Sequence, residues 1–345
     1  MQNMTEKSFR KASTTAAMCI FATATLTYLL TIEPTASFWD CGEFIASSYR
    51  LEVGHPPGNP VFQILARAFS MFADGSHIAM AVNALSAICS SLTILLLYLT
   101  IVFFAKRLVK GDWRKDIPTA SAVAVIGSGA VGSLAYCFSD TFWFSAVEAE
   151  VYSMSSLFTA LVFYCMIKWY EQADSPYADR WIVMIAFLMG LSIGVHLLNL
   201  LAIPAIVFLY YYRKRENGRY SIKELIKISA ISVLILAAVL FGVIPCLPKA
   251  AAYTDLFFVN VLGLPFNSGA AFFMTALLAA CFRGLFRTMK KGKAFANTVL
   301  LCLTVTIIGF SVFSIVIIRS SVMPPTNENR PDNPFSLIRY LSREQ

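Results

Sequence analysis

The chain repeatedly enters stretches that a water-soluble fold rarely holds. Residues 78–104 pass without one charged side chain, and residues 12–32, 119–138 and 181–212 do the same. A helix needs about 20 apolar residues to cross the hydrocarbon core of a bilayer. Inside lipid every backbone N–H and C=O must find a partner within the protein, which leaves helices or closed barrels. Barrel strands alternate apolar and polar residues in segments of about ten. These runs are longer and continuous, so the spans are helices. Composition agrees: 57% of residues are apolar and 14% charged, against about 25% charged in a soluble domain. The expected fold class is an all-α polytopic membrane protein.

Apolar spans are expected at about residues 12–32, 78–104, 119–138, 151–170, 222–244, 270–286 and 295–318. The run 181–212 is long for one span and short for two full ones. Cations flank both its ends (Arg180 before, Arg213, Lys214 and Arg215 after), which predicts two short helices meeting near residues 195–199. That gives about nine transmembrane helices. With the N-terminus cytoplasmic, 21 of the 28 Lys and Arg residues fall in cytoplasmic segments, Lys110, Arg114, Lys115 and Arg219 among them. This bias is the one membrane topology requires. The first loop, residues 33–77, is then non-cytoplasmic, with residues 60–72 as an amphipathic helix near the interface. Residues 245–269 form a second outer loop. Twelve of the twenty acidic residues also lie outside. Acids barely influence topology, so their clustering has another cause.

The first apolar run is expected to be a retained span and not a signal peptide. Residues 1–318 make the transmembrane domain and residues 319–345 an outer tail. The tail stops in "SLIRYLSREQ", a helical start without a partner, which predicts that the natural chain continues. The net charge of +8 belongs to the cytoplasmic loops, and no nucleic-acid-binding motif accompanies it, so nucleic acid is not an expected partner. The eight cysteines show no CxxC pair or zinc spacing. Cys41 and Cys246 fall in expected outer loops, and a pairing between them stays open. No Walker A motif, ion-pump charge string or inverted repeat is present.

Chemistry concentrates in "PTASFWDCGEFIASSYRLEVGHPPGNP", residues 34–60. Asp40 follows Phe38 and Trp39 at the expected membrane boundary. Shielding a carboxylate beside such rings favours proton uptake, as a general base requires. Glu43 lies three residues on, the spacing that shares a helix face; the pair suits a catalytic role, or the binding of an amine or a divalent cation, although no cation is specifically indicated. "HPPGNP" stiffens the turn after it, since proline restricts φ and glycine permits the bend. Arg50 and His55 are the basic residues of this loop. A second cluster, Glu148, Glu150 and Tyr152, precedes the fourth span at the same level. It is read either as substrate contact or as helix capping, with Glu148 and Tyr152 on one helical face. His196 and Asn199 fall at the apex of the expected short-helix pair, either as bundle hydrogen-bonding groups or as cavity-facing ones. Arg319 and Lys249 are outer cations, each a phosphate contact or an interfacial anchor.

The stretch from residue 34 to 69 resembles the multi-span family catalogued as domain of unknown function 2723, which is grouped with protein O-mannosyltransferases of the GT-C glycosyltransferase superfamily. Asp40, Gly42, Glu43 and His55 to Gly58 carry the likeness. "AVEAEVYSMSSLF", "GVHLLNLLAIP" and "PPTNENRPDNPFSLIRYLSREQ" extend it. The resemblance implies a GT-C-like catalytic domain over residues 1–318. It implies an enzyme moving a sugar, mannose by family likeness, from a polyprenyl-phosphate carrier to a Ser or Thr hydroxyl of an acceptor protein or peptide. Asp40 would be the general base and Glu43 its partner, with Arg319 or His55 meeting the lipid phosphate. The expected location is a bacterial inner membrane with the site facing the periplasm, in contact with membrane lipids. A transporter or flippase of lipid-linked saccharides, or a non-catalytic anchor, are the competing readings.

Overall fold

The computed structural model describes residues 3–109, 113, 117–215 and 221–344. Lys110, Arg114, Lys115 and Arg219, counted above as cytoplasmic, lie outside the described residues. In chain order the first helices are α1 (Glu6–Leu30), α2 (Cys41–Arg50), α3 (Pro60–Ser70), α4 (Ile78–Leu108), α5 (Thr119–Cys137), α6 (Asp140–Val147) and α7 (Val151–Gln172). Then come α8 (Asp179–Ser192), α9 (Ile203–Lys214), α10 (Ile222–Ala237), α11 (Ile244–Asn260), α12 (Ser268–Lys290), α13 (Ala294–Phe310), α14 (Ser314–Ser321) and α15 (Pro334–Leu341).

Among the described residues seven helices are long and apolar enough to cross a membrane: α1, α4, α5, α7, the continuous helix Ile222–Asn260, α12, and the continuous helix Ala294–Ser321. The expected short pair within residues 181–212 is also present. α8 and α9 have 14 and 12 residues and are separated by a break that includes a 3₁₀ turn, Leu197–Ala202. The chain is an all-α polytopic integral membrane protein. It differs from expectation at residues 245–260, which continue the preceding span as α11 through a π-helical segment, Ala238–Val243. Pro245 falls in the first turn of α11, where a missing N–H costs least, and the helix runs on through Pro248. Residues 140–147, expected as loop, form α6 behind Ser139.

The chain divides into two compact units, one of residues 1–45 and 65–167, the other of residues 46–64 and 168–345. In the first unit α4 packs against α1, α5 and α6. Lipid supplies no hydrophobic drive between helices, so close fit and buried hydrogen bonds hold them. Tyr28 donates to the Cys137 carbonyl at 2.8 Å and Tyr98 to that of Ser13 at 3.2 Å, both tyrosines fully buried. One end of this unit is basic and aromatic: the Lys106 ammonium stands 5.4 Å from the rings of Phe9 and of Trp113. A short antiparallel pair, Asn3–Met4 with Ile117–Pro118, closes that end. The acids gather at the other end.

In the second unit α8 packs closely on α13 through reciprocal glycines. A Cβ at Gly190 would stand 2.5 Å from the Thr306 carbonyl oxygen, and one at Gly309 2.6 Å from the Leu191 nitrogen. Thr306 donates to the Ala186 carbonyl at 3.1 Å across this contact. α12 packs on α11 and α13, and α15 on α11 and α14.

Candidate active site

In the first unit the segment leading to Asp40 is tied down from two helices. Asn83, in the first turns of α4 and fully buried, donates to the carbonyls of Glu33 at 2.7 Å and Thr35 at 3.0 Å. Glu33 N–H donates to the Val147 carbonyl at 3.0 Å, and Trp143 to the Thr31 hydroxyl at 2.9 Å. Trp39 adopts φ 59, a left-handed conformation that costs a non-glycine residue about 1 kcal/mol. Asp40 follows it, and its carbonyl accepts the Phe44 N–H at 2.9 Å, opening α2. The Asp40 side chain is exposed and Glu43 half-buried, their carboxylates offering ligand atoms within 4.8 Å of each other. Two carboxylates are a partial shell for a hard cation. The shielding of Asp40 expected from its aromatic neighbours is absent from the protein itself, because Phe38 and Trp39 are 76% and 88% exposed.

Glu148 lies at the same end, in extended backbone between α6 and α7, and is only 2% exposed. Its carboxyl bonds the Ser37 side chain, and its Oε2 has no hydrogen-bond partner among the described residues. Burial first, and the Glu33 charge second, push its pKa above the ordinary carboxylate value, against the Ser37 bond. The expected shared face with Tyr152 is not formed: Glu148 precedes α7, and Tyr152 is exposed while Glu148 is buried. Glu150 caps α7, its Oε2 accepting the Val151 N–H at 3.2 Å, and Ser153 donates to its carbonyl at 2.8 Å. Cys41, buried at the start of α2, feels the charges of both Glu148 and Glu150. Its thiol, like that of Cys246, is free.

In the second unit Arg319 donates from Nε to the Leu51 carbonyl at 2.6 Å and from Nη2 to that of Arg50 at 3.1 Å. The Arg50 side chain is exposed and His55 half-buried. Arg319 lines a narrow cleft with Glu52, Gln63 and Tyr340. His196 accepts the Leu198 N–H on Nδ1 at 3.2 Å, and burial, then the Arg343 charge, lowers its pKa. Asn199 is buried and donates to the Ser192 hydroxyl at 2.9 Å. Lys249 is exposed on α11. α11 to α15 line an open apolar cavity of about 580 Å³, its lining including Leu247, Met274, Leu278, Phe310 and Ile317.

Glu33, Ser37, Cys41, Glu148 and Glu150 thus meet at the end of the first unit that carries Asp40. Arg50, His55, His196 and Arg319 belong to the second unit, as do Asn199 and Lys249. Sequence reasoning passed over Asn83 and Ser37. Asn83 carried a usable signal, being the one amide in the long uncharged run 78–104; Ser37 carried none.

The model of the protein O-mannosyl-transferase TMEM260 N-terminal domain matches residues 40–219, just over half of the chain. Among curated proteins the chain is similar to protein O-mannosyl-transferase tmem260 of Dictyostelium discoideum, 25% identical over 223 residues, covering 61% of this chain and 25% of that protein. It is also similar to protein O-mannosyl-transferase TMEM260 of Mus musculus, 27% identical over 208 residues, covering 58% of this chain and 26% of that protein. The matches span about a quarter of the length of these relatives. No solved structure matches the chain. With its match opening at Asp40 and running through Glu148, His196 and Asn199, the chain belongs to the family of the protein O-mannosyl-transferase TMEM260 N-terminal domain.

Proposed function

We propose that the protein is a GT-C-type glycosyltransferase that moves mannose from a polyprenyl-phosphate carrier to a Ser or Thr hydroxyl of a protein on the non-cytoplasmic face. The observation that carries this reading is the placement of Asp40: exposed, at the start of α2, on a segment anchored by Asn83 and by the Ser37–Glu148 bond. An anchored carboxylate open to an incoming alcohol is what a general base needs. The Asp40 carboxylate takes the acceptor hydroxyl proton as that oxygen bonds to the sugar C1. The bond from C1 to the phosphate oxygen breaks, and its electron pair leaves with the polyprenyl phosphate. Glu43 orients the acceptor. The departing phosphate is assigned to His55 and Arg319, the latter also holding the Arg50–Leu51 backbone. Arg50, Glu148, Glu150, Tyr152, His196, Asn199 and Lys249 complete the proposed substrate surroundings, the buried ones by supporting the loops. The cavity among α11 to α15 suits the isoprenoid tail, being apolar and set among membrane-spanning helices. No nucleotide site is needed. The names of the curated relatives support protein O-mannosylation in general.

The test is product detection. Purified protein, synthetic polyprenyl-phosphate mannose and a Ser/Thr peptide library should yield peptides heavier by one hexose, located by fragmentation mass spectrometry. Movement of the intact lipid-linked sugar across a proteoliposome membrane, with no glycosylated peptide, would replace the enzyme by the transporter reading.

A further inference from the structure

The chain after α14 turns back onto the first loop and grips it. Arg319 holds the carbonyls of Leu51 and Arg50. Ser320 and Asn327 then bond each other, Ser320 donating at 2.8 Å and Asn327 donating back to the Ser320 carbonyl at 3.1 Å, which closes the intervening turn. That turn pairs with the loop: Val53 N–H donates to Thr326 and Glu328 N–H to Val53, each at 3.0 Å. α15, capped by Asn333, brings in Tyr340, 1% exposed. Its hydroxyl donates to the Gly54 carbonyl at 2.7 Å and reaches that of His55 at 3.3 Å. Its ring leaves no room at Gly58, where φ is 73 and a Cβ would meet the hydroxyl oxygen at 2.7 Å.

The turn adds a local bond, Gly58 N–H to the His55 carbonyl at 3.0 Å, to the φ restriction of its prolines. The carbonyls of residues 54 and 55 are held in addition by a side chain 285 positions from His55. We propose that Tyr340 is a positioning residue for sugar transfer: by holding the Gly54 and His55 carbonyls it fixes the His55 imidazole for the donor phosphate. This rests on the reading of His55 as a donor contact. Residues 319–340 then act as a clasp on the loop and not as a passive tail. The imidazole follows the backbone that carries it, and the Gly54 carbonyl is buried, so losing the hydroxyl leaves that oxygen unsatisfied.

The experiment uses the full chain in nanodiscs, wild type beside Tyr340→Phe, which keeps the ring over Gly58 and removes only the hydroxyl. Hydrogen exchange at the Val53 and Gly58 amides should quicken roughly three- to tenfold, the factor that about 1 kcal/mol of hydrogen bond is worth, with the amides of α8 and α13 unchanged. KM for synthetic polyprenyl-phosphate mannose should rise by a similar factor while kcat stays within about twofold. Unchanged exchange at both amides would overturn the clasp. Quickened exchange with KM and kcat unmoved would overturn the positioning role, as would a fall in kcat with KM constant. A wild-type protein that transfers no mannose would sink the glycosyltransferase reading and the positioning role with it, whereas transfer by the wild type with KM unmoved in the variant sinks the inference alone.

Discussion

Among single residues, Glu148 shows how burial assigns a role that position alone leaves open. It stood in the sequence as a contact for substrate or as a helix cap. The capping belongs to Glu150, and Glu148 is buried with one oxygen on Ser37. Under the proposed function it supports the loop that carries Asp40. Its raised pKa favours the neutral acid in the folded state. Its contribution to stability is therefore complete below the ordinary carboxylate value of 4.5 and is lost as pH rises through the raised value. Glu148→Gln mimics the neutral acid, so thermal melts across pH 4 to 9 should show wild type falling progressively below the variant as pH rises. Glu148→Ala deletes the Ser37 bond and opens a cavity, and should cost about 1–3 kcal/mol at pH 5. Parallel melting curves for wild type and the Gln variant would contradict the account of Glu148. Asp40 and Glu43 were legible because acid, aromatic, glycine and proline residues interrupt an apolar chain. Asn83 stands out as the one amide of an uncharged run, but its partners are backbone carbonyls 48 and 50 positions away, and no local spacing records them.

At the level of elements, the spans were readable because lipid permits so few alternatives. The short α8–α9 pair followed from length and flanking charge alone. α11 was misread as loop because Pro245 and Pro248 look like breakers, yet Pro245 sits in a first helical turn, where it is tolerated, and the helix continues through Pro248. The helical start in the tail was legible, but its partner was not. α15 and Tyr340 are explained by a loop distant in sequence. Packing of α8 on α13 depends on Gly190 and Gly309 having no side chain. Gly190→Leu should push backbone from backbone and destabilise the second unit by about 1–3 kcal/mol or more, read as a lowered melting temperature in detergent. Gly127, with open space around its Cα, should tolerate alanine in the same assay. Equal melting of the two variants would contradict the close-contact account.

For the whole molecule the claim is one of sidedness. The segregation seen within the first unit, Lys106 with Phe9 and Trp113 at one end and the acids at the other, agrees with a positive cytoplasmic side. A membrane-impermeant maleimide applied to bacterial spheroplasts should label Thr35→Cys directly and Lys291→Cys only after permeabilisation, both positions being exposed. The reverse pattern would put Asp40 with the cytosol and separate it from the proposed acceptor. The most direct test of the central claim is the turnover of Asp40→Asn. Asparagine keeps the size and shape of this exposed side chain, so the variant should melt close to wild type. Loss of the general base should lower kcat for mannosyl transfer by about 100-fold to 10,000-fold, with KM for the lipid donor nearly unchanged. A folded Asp40→Asn protein that transfers mannose at the wild-type rate would contradict the account.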